Sequence, residues 1–76
     1  MQFHYLPVDE RFFVRFTQEA SARYPAGAFS TVGNYPVYAM RVRADRETDV
    51  TEFLIPASDG NFLWVDMRHA MLARRS

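Results

Sequence analysis

Residues 49–66 read Asp49-Val50-Thr51-Glu52-Phe53-Leu54-Ile55-Pro56-Ala57-Ser58-Asp59-Gly60-Asn61-Phe62-Leu63-Trp64-Val65-Asp66. Two apolar runs flank Asp59-Gly60. Asp-Gly between apolar runs signals a two-residue hairpin loop, because both central residues of a type I′ turn take positive φ. Residues 49–57 and 61–66 therefore read as paired strands. With that loop, Ser58 pairs with Asn61, Ala57 with Phe62, Pro56 with Leu63, Ile55 with Trp64 and Leu54 with Val65. One face then carries Phe53, Ile55, Ala57, Phe62 and Trp64, and the other carries Leu54, Pro56, Leu63 and Val65. A half-exposed antiparallel sheet has one polar face, and neither face is polar near this turn.

Working outward, residues 35–44 alternate and are rich in Val and Tyr, which predicts a third strand. Tyr38, Met40, Val42 and Ala44 point one way; Val37, Ala39, Arg41 and Arg43 point the other. The charged run 45–48 is its turn to the hairpin. Phe12, Phe13, Phe16, Ala20 and Tyr24 recur at spacings of three and four, which predicts a helix over 9–24. Asp9 would cap it, Glu19 and Arg23 would pair across one turn, and Pro25 would end it. Residues 25–34 read as a loop. Met67, Ala70, Met71 and Arg74 predict a last helix, capped by Asp66 and closed by Arg74-Arg75. Residues 1–6 alternate weakly, as a short strand or an extended arm. The expected fold is one α+β domain over 1–76, ordered α-β-β-β-α, with a short strand before it as an option. Its core is expected to hold Phe13, Phe16, Ala20, Tyr24, Met40, Val42 and Phe53.

The chain has 76 residues, no cysteine and a formal net charge of zero. A chain this short forms one domain and buries only about 60% of the surface its unfolded form exposes. Lack of Cys excludes disulfides, thiolate metal sites and Cys nucleophiles, and favours a cytoplasmic setting. No apolar run approaches the length of a membrane helix, and the first residues lack the pattern of a signal peptide. All nine basic residues are Arg, and aromatic residues make up 16% of the chain. Arg with abundant Ala fits GC-rich coding, while Arg is also the residue for bidentate contacts to carboxylate and phosphate.

Catalytic signals are sparse. His4 and His69 are the two histidines. Asp66 and His69 stand three apart, a spacing that can align two metal ligands on a helix, but two ligands do not make a site. Asp9 and Glu10 read as a helix start. Gly27, Gly33 and Gly60 are too far apart for a phosphate loop, and no Ser lies in a nucleophile elbow. These residues imply no enzyme, no metal and no cofactor.

The expected element order resembles that of double-stranded RNA-binding domains. That family holds phosphates with lysines at the start of its last helix, where this chain has Asp66-Met67-Arg68-His69, so the resemblance stops at element order. Neutral charge argues against phosphate-dominated binding, although Arg41 and Arg43 share a strand face and make a nucleic-acid-binding regulator the alternative. Two helices are scant cover for both faces of three strands, so one apolar face is expected to bind a larger protein or a second copy. The residues expected there are Leu54, Leu63 and Val65, with Arg41 and Arg43 at the rim, or Trp64 if the other face is open. The chain reads as a complete small protein, a bacterial or phage inhibitor or regulator of a larger complex. Anti-defence proteins such as anti-CRISPRs fit that description; a structural assembly subunit is a further alternative.

Overall fold

The hairpin forms, but one residue away from the register just derived. In the computed structural model, which describes residues 2–73, β5 (Thr48–Pro56) pairs with β6 (Phe62–Asp66) through Leu54↔Trp64, Ile55↔Leu63 and Phe53↔Val65. Ala57 N–H donates to Asn61 O at 2.7 Å and Gly60 N–H donates to Ala57 O at 3.0 Å. The loop is therefore Ser58-Asp59-Gly60, three residues long. A type I′ turn would put Asp59 at positive φ, which strains a residue bearing a Cβ. The longer loop asks this of Gly60 alone, at φ 91°, and Asp59 Oδ1 instead accepts from Asn61 N–H. A one-residue slip moves side chains between faces. Trp64, Phe62 and Leu54 now share one face, while Ile55, Phe53, Leu63 and Val65 share the other. The grouping of Leu54 with Leu63 and Val65 is thereby corrected.

The α-β-β-β-α expectation is overturned: the fold is mostly β, with two antiparallel sheets. In the first, β1 (Gln2–Tyr5), β4 (Ala39–Asp45), β5 and β6 lie in the order β1-β4-β5-β6. In the second, β2 (Phe13–Arg15) lies between β3 (Tyr35–Pro36) and β7 (Met71–Leu72). Without the end helices, the likeness in element order to double-stranded RNA-binding domains lapses as well.

The helix expected over 9–24 breaks into a 3₁₀ turn at Val8–Glu10, strand β2 and a single α-turn, α1 (Gln18–Ser21), capped by Thr17. Asp9 caps nothing; it lies within the 3₁₀ turn. Phe12 and Phe16 fit a period of 2 as well as 3.6. Val14 decides between them. On a helix it would lie on the far side from Phe12 and Phe16, yet it is 1% exposed beside Phe16 in the core. Aromatic and β-branched residues also favour a strand here. The last helix is likewise corrected. Asp66 caps a 3₁₀ turn, Met67–His69, by accepting from Arg68 N–H at 2.8 Å. The chain then extends as β7, because Val14 and Arg15 pair with Leu72 and Met71. Arg74 and Arg75 lie outside the described residues.

The strand expected over 35–44 divides between the two sheets. Val37 N–H donates to Phe12 O, alongside β2, whereas Tyr38 N–H donates to Leu54 O on β5. Tyr38 and Ala39 thus both oppose Leu54, a bulge that re-aims the Tyr38 ring. The ring departs from the Met40 side, where simple alternation put it.

The second sheet and the 22–34 segment cover one face of the first sheet. Phe16 stacks on Phe29 at 4.3 Å between ring centroids, and Tyr24 and Tyr35 pack edge-on against the pair. Val37, Ile55 and Val65 are fully buried in this core. Of the expected core, Phe16, Ala20 and Phe53 are buried; Phe13, Tyr24, Met40 and Val42 are half-buried. Among the described residues no helix is long and apolar enough to cross a membrane.

Two substitutions test this arrangement by urea unfolding. Val14→Asp should abolish folding, since it buries an unpaired charge, whereas a helix facing inward through Phe12 and Phe16 would tolerate it. Phe16→Ala should lower stability by about 3–5 kcal/mol.

Candidate interaction face

The face of the first sheet turned away from the core carries the site. Strand alternation places Phe3 and Tyr5 of β1, Ala39, Arg41 and Arg43 of β4, Glu52 and Leu54 of β5, and Phe62 and Trp64 of β6 on that side. Ala39, directly between Tyr5 and Leu54 in the ladder, is completely buried although it faces away from the main core. A small residue on the central strand lets the larger side chains of both edges lean over it. Phe3 and Trp64 accordingly meet edge-on across the sheet at 5.8 Å between ring centroids.

Two guanidinium groups lie over rings of this layer. Arg41 stands 4.1 Å from the Trp64 ring centroid, and its Nε donates to Glu52 Oε1 at 2.7 Å. The same oxygen lies 3.5 Å from Arg43 Nε. Glu52 is 8% exposed, the one buried charged residue among the described residues, and a carboxylate so placed needs its partners. Arg11 forms the second cluster. Its guanidinium lies 3.9 Å from the Tyr38 ring centroid, and its Nε and Nη2 donate to Leu6 O and Tyr5 Oη, each at 3.1 Å. Phe62 packs edge-on against Tyr38. Phe3 and Tyr5 remain 59% exposed and Phe62 49%. Arg11, Arg41 and Arg43 share this face with two carboxylates: Glu52 and, directly opposite it in the ladder, Asp66, which Arg68 engages.

The structure brings together Leu54, Trp64, Arg41 and Arg43 from the residues singled out in the sequence. It separates Leu63 and Val65 from them, placing Leu63 half-buried against the core and Val65 within it. Phe3, Tyr5, Arg11 and Tyr38 were not legible as site residues. Arg11 falls within the stretch expected as a helix, off its apolar face, and only the bulge directs Tyr38 outward. Alternation in 1–6 was the one local signal, for Phe3 and Tyr5.

The two histidines stand apart. His4 is on edge strand β1, and His69 follows the opposite edge strand β6. His69 Nδ1 lies 2.7 Å from Tyr24 Oη, which also accepts from Asp66 N–H at 3.3 Å. Burial, against a backbone hydrogen bond that works the other way, raises the Tyr24 pKa above its ordinary 10.0. Among the described residues no three His, Asp or Glu side chains converge. A groove of about 590 Å³ beside β1 is lined by Phe3, His4, Met40, Arg41, Val42 and Thr51; of its ionisable groups, Arg41 is already engaged by Glu52. No family model, curated protein or solved structure matches the chain.

Asp66, at the end of β6, supplies a pH test. Hydrogen bonding from the Arg68 side chain lowers its carboxyl from the usual 3.8 to about 2, outweighing partial desolvation. The unfolded chain therefore takes up this proton first. The stabilisation from ionised Asp66 is complete above about pH 4 and is lost as the pH falls through about 2. Urea titrations should show Asp66→Asn flattening the rise of stability between those two pH values. An unchanged slope would mean that Arg68 does not hold the carboxylate.

Proposed function

We propose that the protein is a non-enzymatic binding module that docks on a larger protein through the outer face of its four-stranded sheet. The observation that carries this reading is the set of exposed rings, Phe3, Tyr5 and Phe62, beside two guanidiniums held over Trp64 and Tyr38. Aromatic and Arg side chains are the usual energetic anchors of protein interfaces. These are ordered before any partner arrives, so little side-chain entropy is left to lose on docking. Arg11 and Arg41 commit their Nε atoms inward, to Leu6 O and to Glu52. Terminal nitrogens of Arg41 are left to meet acceptors such as partner carboxylates. The role that fits is an inhibitor or regulator of a larger bacterial or phage complex, acting in the cytoplasm.

Single-stranded nucleic acid is the second reading, favoured by the combination of Arg and aromatic side chains on the face. Two facts weigh against it. The guanidiniums already occupy a face of Trp64 and of Tyr38 on which bases would stack, and an uncharged chain gains little from counterion release.

The test compares parent protein with a Phe62→Asp, Arg11→Ala double variant whose fold is verified by circular dichroism. Immobilised parent should retain a defined protein from bacterial lysate, and the variant should retain at least about tenfold less. Submicromolar binding of a labelled 20-nucleotide single strand at physiological salt, lost in the same variant, would replace the protein reading with the nucleic-acid one.

A further inference from the structure

The outer face ends at an edge that the fold leaves open. Among the described residues, β1 pairs with β4 on one side only. Leu6 N–H donates to Tyr38 O at 2.8 Å, so by alternation His4 and Gln2 also turn their backbone groups toward β4. The N–H and C=O groups of Phe3 and Tyr5 point away from the sheet. Soluble proteins usually guard such an edge with charge, proline or a bulge within the strand. β1, Gln-Phe-His-Tyr, carries none of these, although each of the other three strands of this sheet carries Asp, Glu or Arg.

We propose that β1 is a self-association edge, pairing antiparallel with β1 of a second copy about a twofold axis at His4. This register follows from the strand itself. Phe3 lies opposite Tyr5 of the second copy and Tyr5 opposite its Phe3, and each couple exchanges two backbone hydrogen bonds. Both couples put exposed rings together on the outer side of the joined sheet. A register shifted two residues toward the C-terminus would set Phe3 against Pro7, which has no N–H to give. β1 itself has no Asp, Glu or Arg to desolvate, and the neighbouring guanidinium, Arg11, is already held on Tyr5 Oη and over the Tyr38 ring. The twofold contact also uses up the open edge on both copies and closes the assembly. The joined sheet has eight strands and presents the two outer faces side by side. The inference does not depend on the identity of any protein partner.

Four backbone bonds and two ring pairs make a small interface, so the dimer is a weak one. Its register can be read by cross-linking, because the native chain has no cysteine to interfere. Residues 4 of the two copies stand opposite one another, with Cβ atoms about 5 Å apart, within reach of a disulfide after slight adjustment. Residues 2 of the two copies are about four residues apart along the strands, beyond that reach. His4→Cys should therefore form a covalent dimer at least about tenfold faster than Gln2→Cys under the same mild oxidation. Sedimentation of the parent at concentrations up to about 1 mM should show reversible dimer, and Tyr5→Lys, folded by circular dichroism, should sediment as monomer throughout. Equal cross-linking at positions 2 and 4, or a parent that stays monomeric at about 1 mM, would overturn the proposal.

Discussion

A central strand that is apolar on both faces has to be covered twice, and everything else in this structure follows from how β5 meets that demand. On one side Phe53 and Ile55 enter the main core. On the other, Leu54 and the carboxylate of Glu52 sit beneath a thin layer of side chains. In so short a chain the two covers cannot be alike. The inner one is built from backbone: a three-stranded sheet and a loop that delivers Phe29. The outer one is built from side chains alone, with Phe3 and Trp64 leaning inward over Ala39.

The side-chain cover explains why this face is suited to recognition. Its apolar rings are too few to exclude water fully, so Phe3, Tyr5 and Phe62 stay half in solvent. Its polar members are constrained instead of mobile. Glu52 is satisfied by Arg41, which in turn is held on Trp64. Removing that carboxylate would release two guanidiniums at once, and removing Arg41 would leave a buried charge short of its closest partner. Stability and recognition thus use the same contacts. The inner cover, by contrast, is a ring stack with its hydroxyls satisfied. Tyr35 Oη accepts from Ser30 N–H at 2.6 Å and lies 3.0 Å from Ser58 Oγ.

Part of the site was legible beforehand, for definable reasons. Leu54, Trp64, Arg41 and Arg43 were marked because an apolar hairpin and an Arg-bearing strand are local patterns. They were assigned to opposing faces because the loop length was misread by one residue, and a period of 2 makes that error reverse one strand's faces relative to the other. Leu63 and Val65 failed as surface residues for the same reason. The N-terminal helix failed differently. Phe12 and Phe16 satisfy both periods, and only the burial of Val14, which requires β3 and β7 on either side, selects the strand.

The sequence by itself determined that residues 49–66 fold back as a hairpin, that both its faces are apolar near the turn, and that the chain lacks the cysteines for disulfides. These follow from side-chain size, turn chemistry and spacing within one short segment. Tertiary structure alone decided the hairpin register, the change of sheet between Val37 and Tyr38, and the extension of residues 13–15 and 71–72. β2 pairs with β3 and β7, which are distant along the chain, and Phe13 O accepts from Ala73 N–H just beyond β7. A segment whose backbone groups are satisfied by remote strands has no need of the helix that its local spacing suggests.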